Sequence, residues 1–184
     1  LDDLIQKEKN YTNSIRLKEK LNLPIKKDYI LVLYHPVTEE YLKSRTNVKN
    51  FILSLKSLNL AKAWIMPNND AGSNIFKEEI LSSRTPDDYI FENLARSDYL
   101  TLMKNCIFMV GNSSSGIIES PSFKIPVINV GRRQNKRLRA KNIIDVDKIT
   151  TKNSGFWNSI IIERISAVSK NRVVITGYGA VTPI

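Results

Sequence analysis

The feature that most constrains the fold is an alternation of short apolar runs with segments of helical periodicity. The strand-like runs lie at residues 28–34, 60–66, 88–92, 106–110, 126–130 and 142–146. Helical patterns fall between them, at residues 71–82 and 117–123 and on the face formed by Val48, Phe51, Ile52, Leu55 and Leu58, while residues 99–104 lead into the fourth run. Such alternation is typical of parallel β-α units. The sequence predicts an α/β fold, a Rossmann-like parallel sheet flanked by helices.

Length and composition limit the remaining possibilities. A chain of 184 residues with 42% hydrophobic side chains predicts one compact domain. Every apolar run is far shorter than the roughly 20 residues that cross a bilayer, so no membrane partner is expected. The single cysteine, Cys106, lies in an apolar run, which predicts a buried thiol and fits a cytoplasmic protein. The chain begins at Leu1 rather than methionine, which is expected of a piece of a longer protein.

Polar residues follow the strand-like runs at the positions where parallel sheets bind ligands. His35 follows the first run, residues 68–73 the second, residues 111–116 the fourth and residues 131–139 the fifth. Because ligands of open α/β sheets bind beyond the carboxyl ends of the strands, these four loops should meet at one edge. The net charge of +10 favours an anionic partner, without choosing among nucleotides, nucleic acids and acidic membranes.

The loop at residues 111–116, Gly-Asn-Ser-Ser-Ser-Gly, is the most informative of the four. Glycine permits close backbone approach and the hydroxyls can donate to phosphate, although serines here could equally cap a helix. Glu119 lies one helical turn further on, where it could accept from ribose hydroxyls or be a solvated charge. His35, the sole histidine, suits proton transfer or phosphate contact near neutral pH, or a structural role.

The basic run at residues 132–139 could contact a pyrophosphate or RNA, or simply be a solvated loop. Metal-ligand spacing of cysteine and histidine, a GxGxxG fingerprint and a Walker loop do not occur in the sequence. Metal, dinucleotide and P-loop sites therefore lose support.

Three segments together resemble one family, the hydrolysing UDP-N-acetylglucosamine 2-epimerases of sialic-acid and legionaminic-acid pathways. They are residues 35–38 (His-Pro-Val-Thr), residues 67–73 (Pro-Asn-Asn-Asp-Ala-Gly-Ser), and residues 111–119 continued through 126–134. The resemblance covers roughly residues 1–150. It implies the C-terminal half of a GT-B-like two-domain enzyme, with residues 1–168 as the UDP-binding domain and the N-terminal catalytic domain absent.

The resemblance also implies roles for individual residues. Ser113 and Ser114 would bind phosphate oxygens, Glu119 the ribose, and Arg133 and His35 the diphosphate region, with His35 the only catalytic candidate in this half. Asn68 would line the same pocket. The ligands implied are a UDP-sugar and UDP, with no metal or redox cofactor, and the full-length protein is expected to be a cytoplasmic homodimer. UDP would leave by elimination, and water would then add with inversion at C2 to release a free sugar such as N-acetylmannosamine.

The sequence departs from the family in two places. Arg132 stands where the family often has an acidic residue and Lys136 where it usually has glycine, and both changes add positive charge beside Arg133. Residues 169–184 also depart, because the family closes with a helix that packs back across the domains. Residues 172–184 instead resemble the opening of a β-ketoacyl carrier-protein synthase, although an ordinary extra strand is the alternative. A gene fusion or a faulty reading frame would explain the likeness.

Two other functions are compatible with these residues. A GT-B glycosyltransferase would use the same half to hold UDP while transferring the sugar to an acceptor. A nucleic-acid-binding module would use the basic run, but that run lacks interleaved aromatic residues and no common recognition motif is present, so no nucleic-acid partner is expected.

Overall fold

The computed structural model describes residues 28–35, 41–67, 73–92, 94–147, 157, 173–176 and 180–183. The predicted charged opening segment and Asn68 lie outside these residues. The elements alternate as predicted. In chain order they are β1 (Tyr29–Leu33), α1 (Tyr41–Lys56), β2 (Ala61–Ile65), α2 (Ser73–Ser82), β3 (Asp88–Phe91), α3 (Arg96–Asn105), β4 (Met109–Gly111), α4 (Ser115–Ile118), α5 (Ser120–Phe123), β5 (Val127–Val130), β6 (Ile143–Val146), β7 (Val173–Thr176) and β8 (Ala180–Pro183).

Strands β1 to β6 form one sheet in the order β3-β2-β1-β4-β5-β6, and every pair is parallel. This is the strand order of a Rossmann-type sheet, and the predicted fold class is confirmed. β1 lies at the centre and all of its residues are buried, as expected of a parallel strand covered on both faces.

Successive β1 residues point to opposite faces and so divide the hydrophobic core in two. Ile30 and Val32 join a cluster with α1, α2 and Trp157, whereas Leu31 and Leu33 join a cluster with α3 and α5. The first cluster contains the predicted helix face, although Leu58 lies two residues beyond the end of α1. Cys106 is buried in the second cluster, as predicted.

Several predicted boundaries shift. β4 begins at Met109 rather than at Cys106, because Cys106 still donates its backbone N–H to the last turn of α3. The single helix predicted at residues 117–123 is two short helices that meet at Glu119. Residues 99–104, which precede the fourth predicted strand, belong to a helix, α3, that begins at Arg96 and was not predicted.

The C-terminal strands stand apart from the main sheet. β7 and β8 pair with each other in antiparallel register, from Val173 opposite Pro183 to Thr176 opposite Ala180. They form a sheet of two strands, so neither is an extra strand of the six-stranded sheet. The likeness of residues 172–184 to a carrier-protein synthase, and the domain boundary at residue 168, stay predictions.

No helix in the part of the chain that the structure describes is both long and apolar enough to span a bilayer.

Candidate functional site at the β1–β4 edge

The strand order reverses direction between β1 and β4, and the two strands end side by side there. Leu33 pairs with Gly111, whose φ is +147° and whose added Cβ would lie 1.9 Å from the Leu33 carbonyl oxygen. Only glycine fits this approach, because any side chain would overlap the neighbouring backbone. The glycine that opens the serine loop therefore brings that loop against the end of β1, at the topological switch point where such sheets bind ligands.

Asn112 joins the loops that follow β1, β4 and β5. Its side-chain Oδ1 accepts from the His35 backbone N–H, and its Nδ2 donates to the His35 carbonyl, each at 2.7 Å. Its own carbonyl accepts from Arg133 Nη1 at 3.2 Å and from Gln134 Nε2 at 2.9 Å. Asn112 is 1% exposed, so these bonds are shielded from water. They hold His35, the serine loop and Arg133 at one edge of the sheet.

The serines of the loop differ in their hydrogen bonding. Ser113 is buried, and its Oγ lies 3.1 Å from Ser115 Oγ and accepts from the Ser115 backbone N–H at 3.3 Å. Ser114 occupies the N-cap position of α4 but makes no side-chain cap hydrogen bond. The capping alternative thus does not describe Ser114, whereas Ser113 does satisfy a backbone donor at the start of α4.

Glu119 is buried rather than solvated, because α3 packs against it. Its Oε1 lies 2.8 Å from Arg96 Nη2. Three residues after Arg96, the Tyr99 hydroxyl hydrogen-bonds Ser115 Oγ. Burial raises the pKa of the Tyr99 phenol well above its usual value, against the opposing effect of the Ser115 hydrogen bond. The phenol is therefore neutral at physiological pH.

The basic run is a turn whose side chains are mostly exposed, as expected of a solvated loop, but hydrogen bonds hold one of its arginines. Arg139 Nε lies 3.1 and 2.8 Å from the two carboxylate oxygens of Asp145, and Arg139 Nη1 donates to the carbonyls of Gln134 and Arg137. The guanidinium of Arg139 therefore stabilises the turn through bonds within the protein. Arg133 and Arg132 are exposed, and of these two Arg133 is tied to Asn112.

Of the predicted site residues, His35, Ser113, Ser114 and Arg133 converge at the β1–β4 edge, and Glu119 follows one turn after Ser115. Four further residues of the site could not be recognised from the sequence, because their hydrogen-bond or ion-pair partners lie far away along the chain. They are Asn112, Gln134, Tyr99 and Arg96. The hydroxyls and the guanidinium can donate to an anion, and the carboxylate can accept from hydroxyls. Among the described residues, no group of three histidine, cysteine, aspartate or glutamate side chains could hold a metal ion.

A parallel sheet in this order, with polar loops converging where the order reverses, defines a Rossmann-like α/β protein, a class in which ligands bind at that edge. The model of the UDP-N-acetylglucosamine 2-epimerase family matches residues 1–171, and the chain belongs to that family.

Relatives in sequence are consistent with this membership. The chain is 37% identical over 149 residues to the GDP/UDP-N,N'-diacetylbacillosamine 2-epimerase (hydrolyzing) of Campylobacter jejuni, covering 79% of this chain and 39% of the relative. It is 36% identical over 150 residues to the UDP-N,N'-diacetylbacillosamine 2-epimerase (hydrolyzing) of Legionella pneumophila, covering 80% and 39%. The chain thus spans 39% of the length of these curated relatives.

Solved structures share the fold at low sequence identity. The S. aureus MnaA-UDP co-structure superposes with a TM-score of 0.62 at 21% identity, covering 88% of this chain and 43% of that one. The UDP-GlcNAc 2-epimerase of Neisseria meningitidis bound to UDP-GlcNAc superposes with a TM-score of 0.60 at 17% identity, covering 90% and 44%. The chain therefore has the fold of about two fifths of these proteins.

Proposed function

We propose that this chain is the nucleotide-binding half of a hydrolysing UDP-N-acetylglucosamine, or related UDP-sugar, 2-epimerase. The enzyme would release UDP and a free sugar inverted at C2, such as N-acetylmannosamine. The observation that carries the proposal is the Asn112 junction, which gathers His35, the serine loop and Arg133 at the switch point. Family membership supplies the identity of the anion, and the named relatives that act on UDP-sugars support it.

Each group at the edge suits one part of UDP. Ser113 and Ser114 offer hydroxyls to the phosphates, and Arg133 offers a guanidinium to the diphosphate. His35 adjoins them after β1 and would contact the same diphosphate, while Asn68 would line the pocket. Glu119 has a carboxylate oxygen that can accept from the ribose.

The proposed chemistry at this half is assistance to a leaving group. When the bond from the sugar to UDP breaks, negative charge grows on the bridging oxygen of the diphosphate. Donors already fixed near that oxygen stabilise the transition state more than the ground state, which lowers the barrier. The hydrogen bonds of Asn112 would supply this fixed geometry, because they connect the loops that follow β1 and β5 to the serine loop that follows β4.

The proton transfers at the sugar carbons need other groups. The family resemblance assigns them to carboxylates of an N-terminal domain, and no segment of this chain resembles that domain. The 184-residue chain should therefore bind UDP weakly and turn over no sugar nucleotide. A full-length enzyme would be a cytoplasmic homodimer, with dimer contacts outside the half described here.

The sugar itself stays open between a mono-N-acetylated and a di-N-acetylated substrate. The relative from Neisseria meningitidis named as a UDP-N-acetylglucosamine 2-epimerase is 37% identical over 133 residues, as close as the diacetylbacillosamine enzyme of Campylobacter jejuni. Identity therefore does not choose between the two substrates. Both sugar nucleotides belong in the activity assay.

Calorimetric titration of the 184-residue chain with UDP tests the binding half of the proposal. We expect UDP to bind, and Ser113→Ala to weaken it roughly tenfold, as for the loss of a hydrogen bond to a charged group. Ser82→Ala, which removes an exposed hydroxyl from α2, is the matched control and should not change the affinity. Absence of UDP binding, or an equal effect of the two variants, would contradict the site.

A product assay tests the catalytic half. The chain alone should form no epimerised sugar from either substrate, and detectable epimerisation would refute that statement. For the enzyme that contains both halves, free sugar should appear without any acceptor. A requirement for an acceptor would instead indicate a glycosyltransferase.

A further inference from the structure

Helix α3 contacts the start of the proposed UDP site at two points one helical turn apart. The Tyr99 hydroxyl meets Ser115 Oγ, and Arg96 Nη2 meets Glu119 Oε1 at 2.8 Å. Arg96 and Tyr99 are three residues apart and Ser115 and Glu119 four apart, so each pair lies on one face of its segment. Two side chains of α3 therefore contact Ser115, the first residue of α4, and Glu119, the residue that follows its last.

The first contact continues into the serine loop. Ser115 Oγ lies 3.1 Å from Ser113 Oγ. A chain of hydroxyls therefore runs from Tyr99 through Ser115 to Ser113, the residue proposed to bind phosphate. A hydroxyl has one hydrogen to donate, and its direction is set by the neighbours that accept or donate. A neutral phenol at Tyr99 therefore constrains which way the Ser113 hydroxyl can point.

The second contact fixes the carboxylate. The Glu119 side chain is 12% exposed and that of Arg96 is 66% exposed, so the cation reaches in from the surface to a buried anion. Arg96 engages Oε1, so Oε2 is the oxygen that a ribose hydroxyl would approach. An orientation fixed in this way is useful for a carboxylate that must accept from a sugar hydroxyl, because the rotamer is already set before the ligand binds.

We propose that Arg96 and Tyr99 are positioning residues for UDP, with Arg96 orienting Glu119 toward the ribose and Tyr99 orienting the Ser115–Ser113 hydroxyls toward the phosphates. The inference rests on the proposed function and adds to it a division of labour. Arg96 governs recognition of the ribose, and Tyr99 governs affinity for the diphosphate.

The Arg96 half is tested by the ratio of dissociation constants for 2'-deoxy-UDP and UDP. The unchanged chain should prefer UDP roughly tenfold, the value of one hydrogen bond to a charged group, and Glu119→Gln should remove most of that preference. Arg96→Gln should also reduce this ratio, from roughly ten to a value between about one and three, and Arg96→Lys should restore part of the preference. A merely structural loss would weaken both ligands equally and leave the ratio unchanged.

The chain contains a matched control for Arg96. Arg45 on α1 pairs with Glu79 on α2 at 3.1 Å, with side-chain exposures of 66% and 16%, and both helices pack on the opposite face of the sheet from α3. Arg45→Gln should leave the ratio unchanged. Because Arg96 is largely exposed, both variants should fold, which thermal unfolding would verify.

The Tyr99 half is tested by Tyr99→Phe with UDP and with inorganic pyrophosphate. Both affinities should fall roughly fivefold, the value of about one neutral hydrogen bond, while the deoxy-UDP to UDP ratio stays as in the unchanged chain. Tyr29→Phe is the control. Its hydroxyl donates to the Leu102 carbonyl of α3 at 2.8 Å, also in the core, but has no link to the serines. Tyr29→Phe should change stability and not affinity.

Failure of the inference is distinguishable from failure of the proposed function. If the unchanged chain does not bind UDP, the proposed function fails. If it binds UDP with a ribose preference that Glu119→Gln removes but Arg96→Gln retains, the Arg96 role is wrong. If Tyr99→Phe binds UDP and pyrophosphate as tightly as Tyr29→Phe does, the Tyr99 role is wrong.

Discussion

Asn112 illustrates how one buried amide determines the geometry of a site that it does not itself form. Both ends of its side chain bond the His35 backbone at 2.7 Å. Asn112→Asp keeps the shape but turns the donor toward the His35 carbonyl into an acceptor. We expect the free energy of unfolding to fall by about 2–4 kcal/mol, because an acceptor or a charge would then face another acceptor out of water. Urea denaturation measures this change.

Asn105→Asp is the matched control for that experiment. Asn105 also donates its Nδ2 to a carbonyl, that of Thr101 at 2.8 Å, but it is exposed at the end of α3. Its replacement should cost about 1 kcal/mol or less, since water can solvate the altered group. Equal losses for the two variants would mean that the Asn112 junction does not hold the loops together.

At the residue scale, the serine loop could be recognised from the sequence, but the contacts that hold the loop in place could not. Ser113 and Ser114 were recognisable because glycines and hydroxyls lie close together along the chain. The role of Asn112 was not, because its partner His35 is 77 residues away. The burial of Glu119 was equally hidden, since it depends on the side chain of Arg96 from another helix.

At the scale of elements, the turn after β5 is held by Arg139 and Asp145. Burial acts to raise the pKa of the Asp145 carboxyl, but hydrogen bonds from Arg139 and Asn129 outweigh it, and the net pKa lies below its ordinary value. A lowered folded-state pKa stabilises the protein above the unfolded-state pKa, and that stabilisation is lost as pH falls through the folded-state value.

Asp145→Asn should therefore destabilise the protein at neutral pH and converge with the unchanged chain in acid. The side chain is 50% exposed, so the expected difference at pH 7 is small, about 1 kcal/mol or less. The difference should shrink below about pH 4, where unperturbed aspartate becomes protonated. Urea midpoints across that range measure it, with exposed Asp147→Asn as the control. A difference that grows in acid would contradict the assigned direction of the pKa.

Predicted elements agree best with the structure where the local apolar pattern is strong. β1 and β2 follow from short apolar runs, and the apolar face of α1 follows from the helical spacing of large side chains. The start of β4 and the break at Glu119 did not follow, because hydrogen bonds of α3 and of the short helices set those limits. Strand order also lay beyond sequence reasoning, since pairing β1 with β4 brings together residues distant along the chain.

At the scale of the whole molecule, the question is whether the net charge of +10 or the cations of the edge would attract UDP. Screening limits exposed charges to a range of about 8–10 Å at 0.1–0.15 M salt, so distant cations should contribute little. Arg133 is exposed at the edge and held to the Asn112 carbonyl, whereas Arg84 is exposed just beyond α2. Their replacement by glutamine removes the same charge at two places.

Arg133→Gln should weaken UDP binding roughly tenfold at 0.15 M salt and flatten its dependence on salt, because a guanidinium near the diphosphate is lost. Arg84→Gln should leave both quantities almost unchanged. Calorimetric titrations of the two variants at low and high salt give the comparison. Equal weakening by both would mean that the overall charge attracts UDP without a defined site, and the edge between β1 and β4 would then not be where the nucleotide binds.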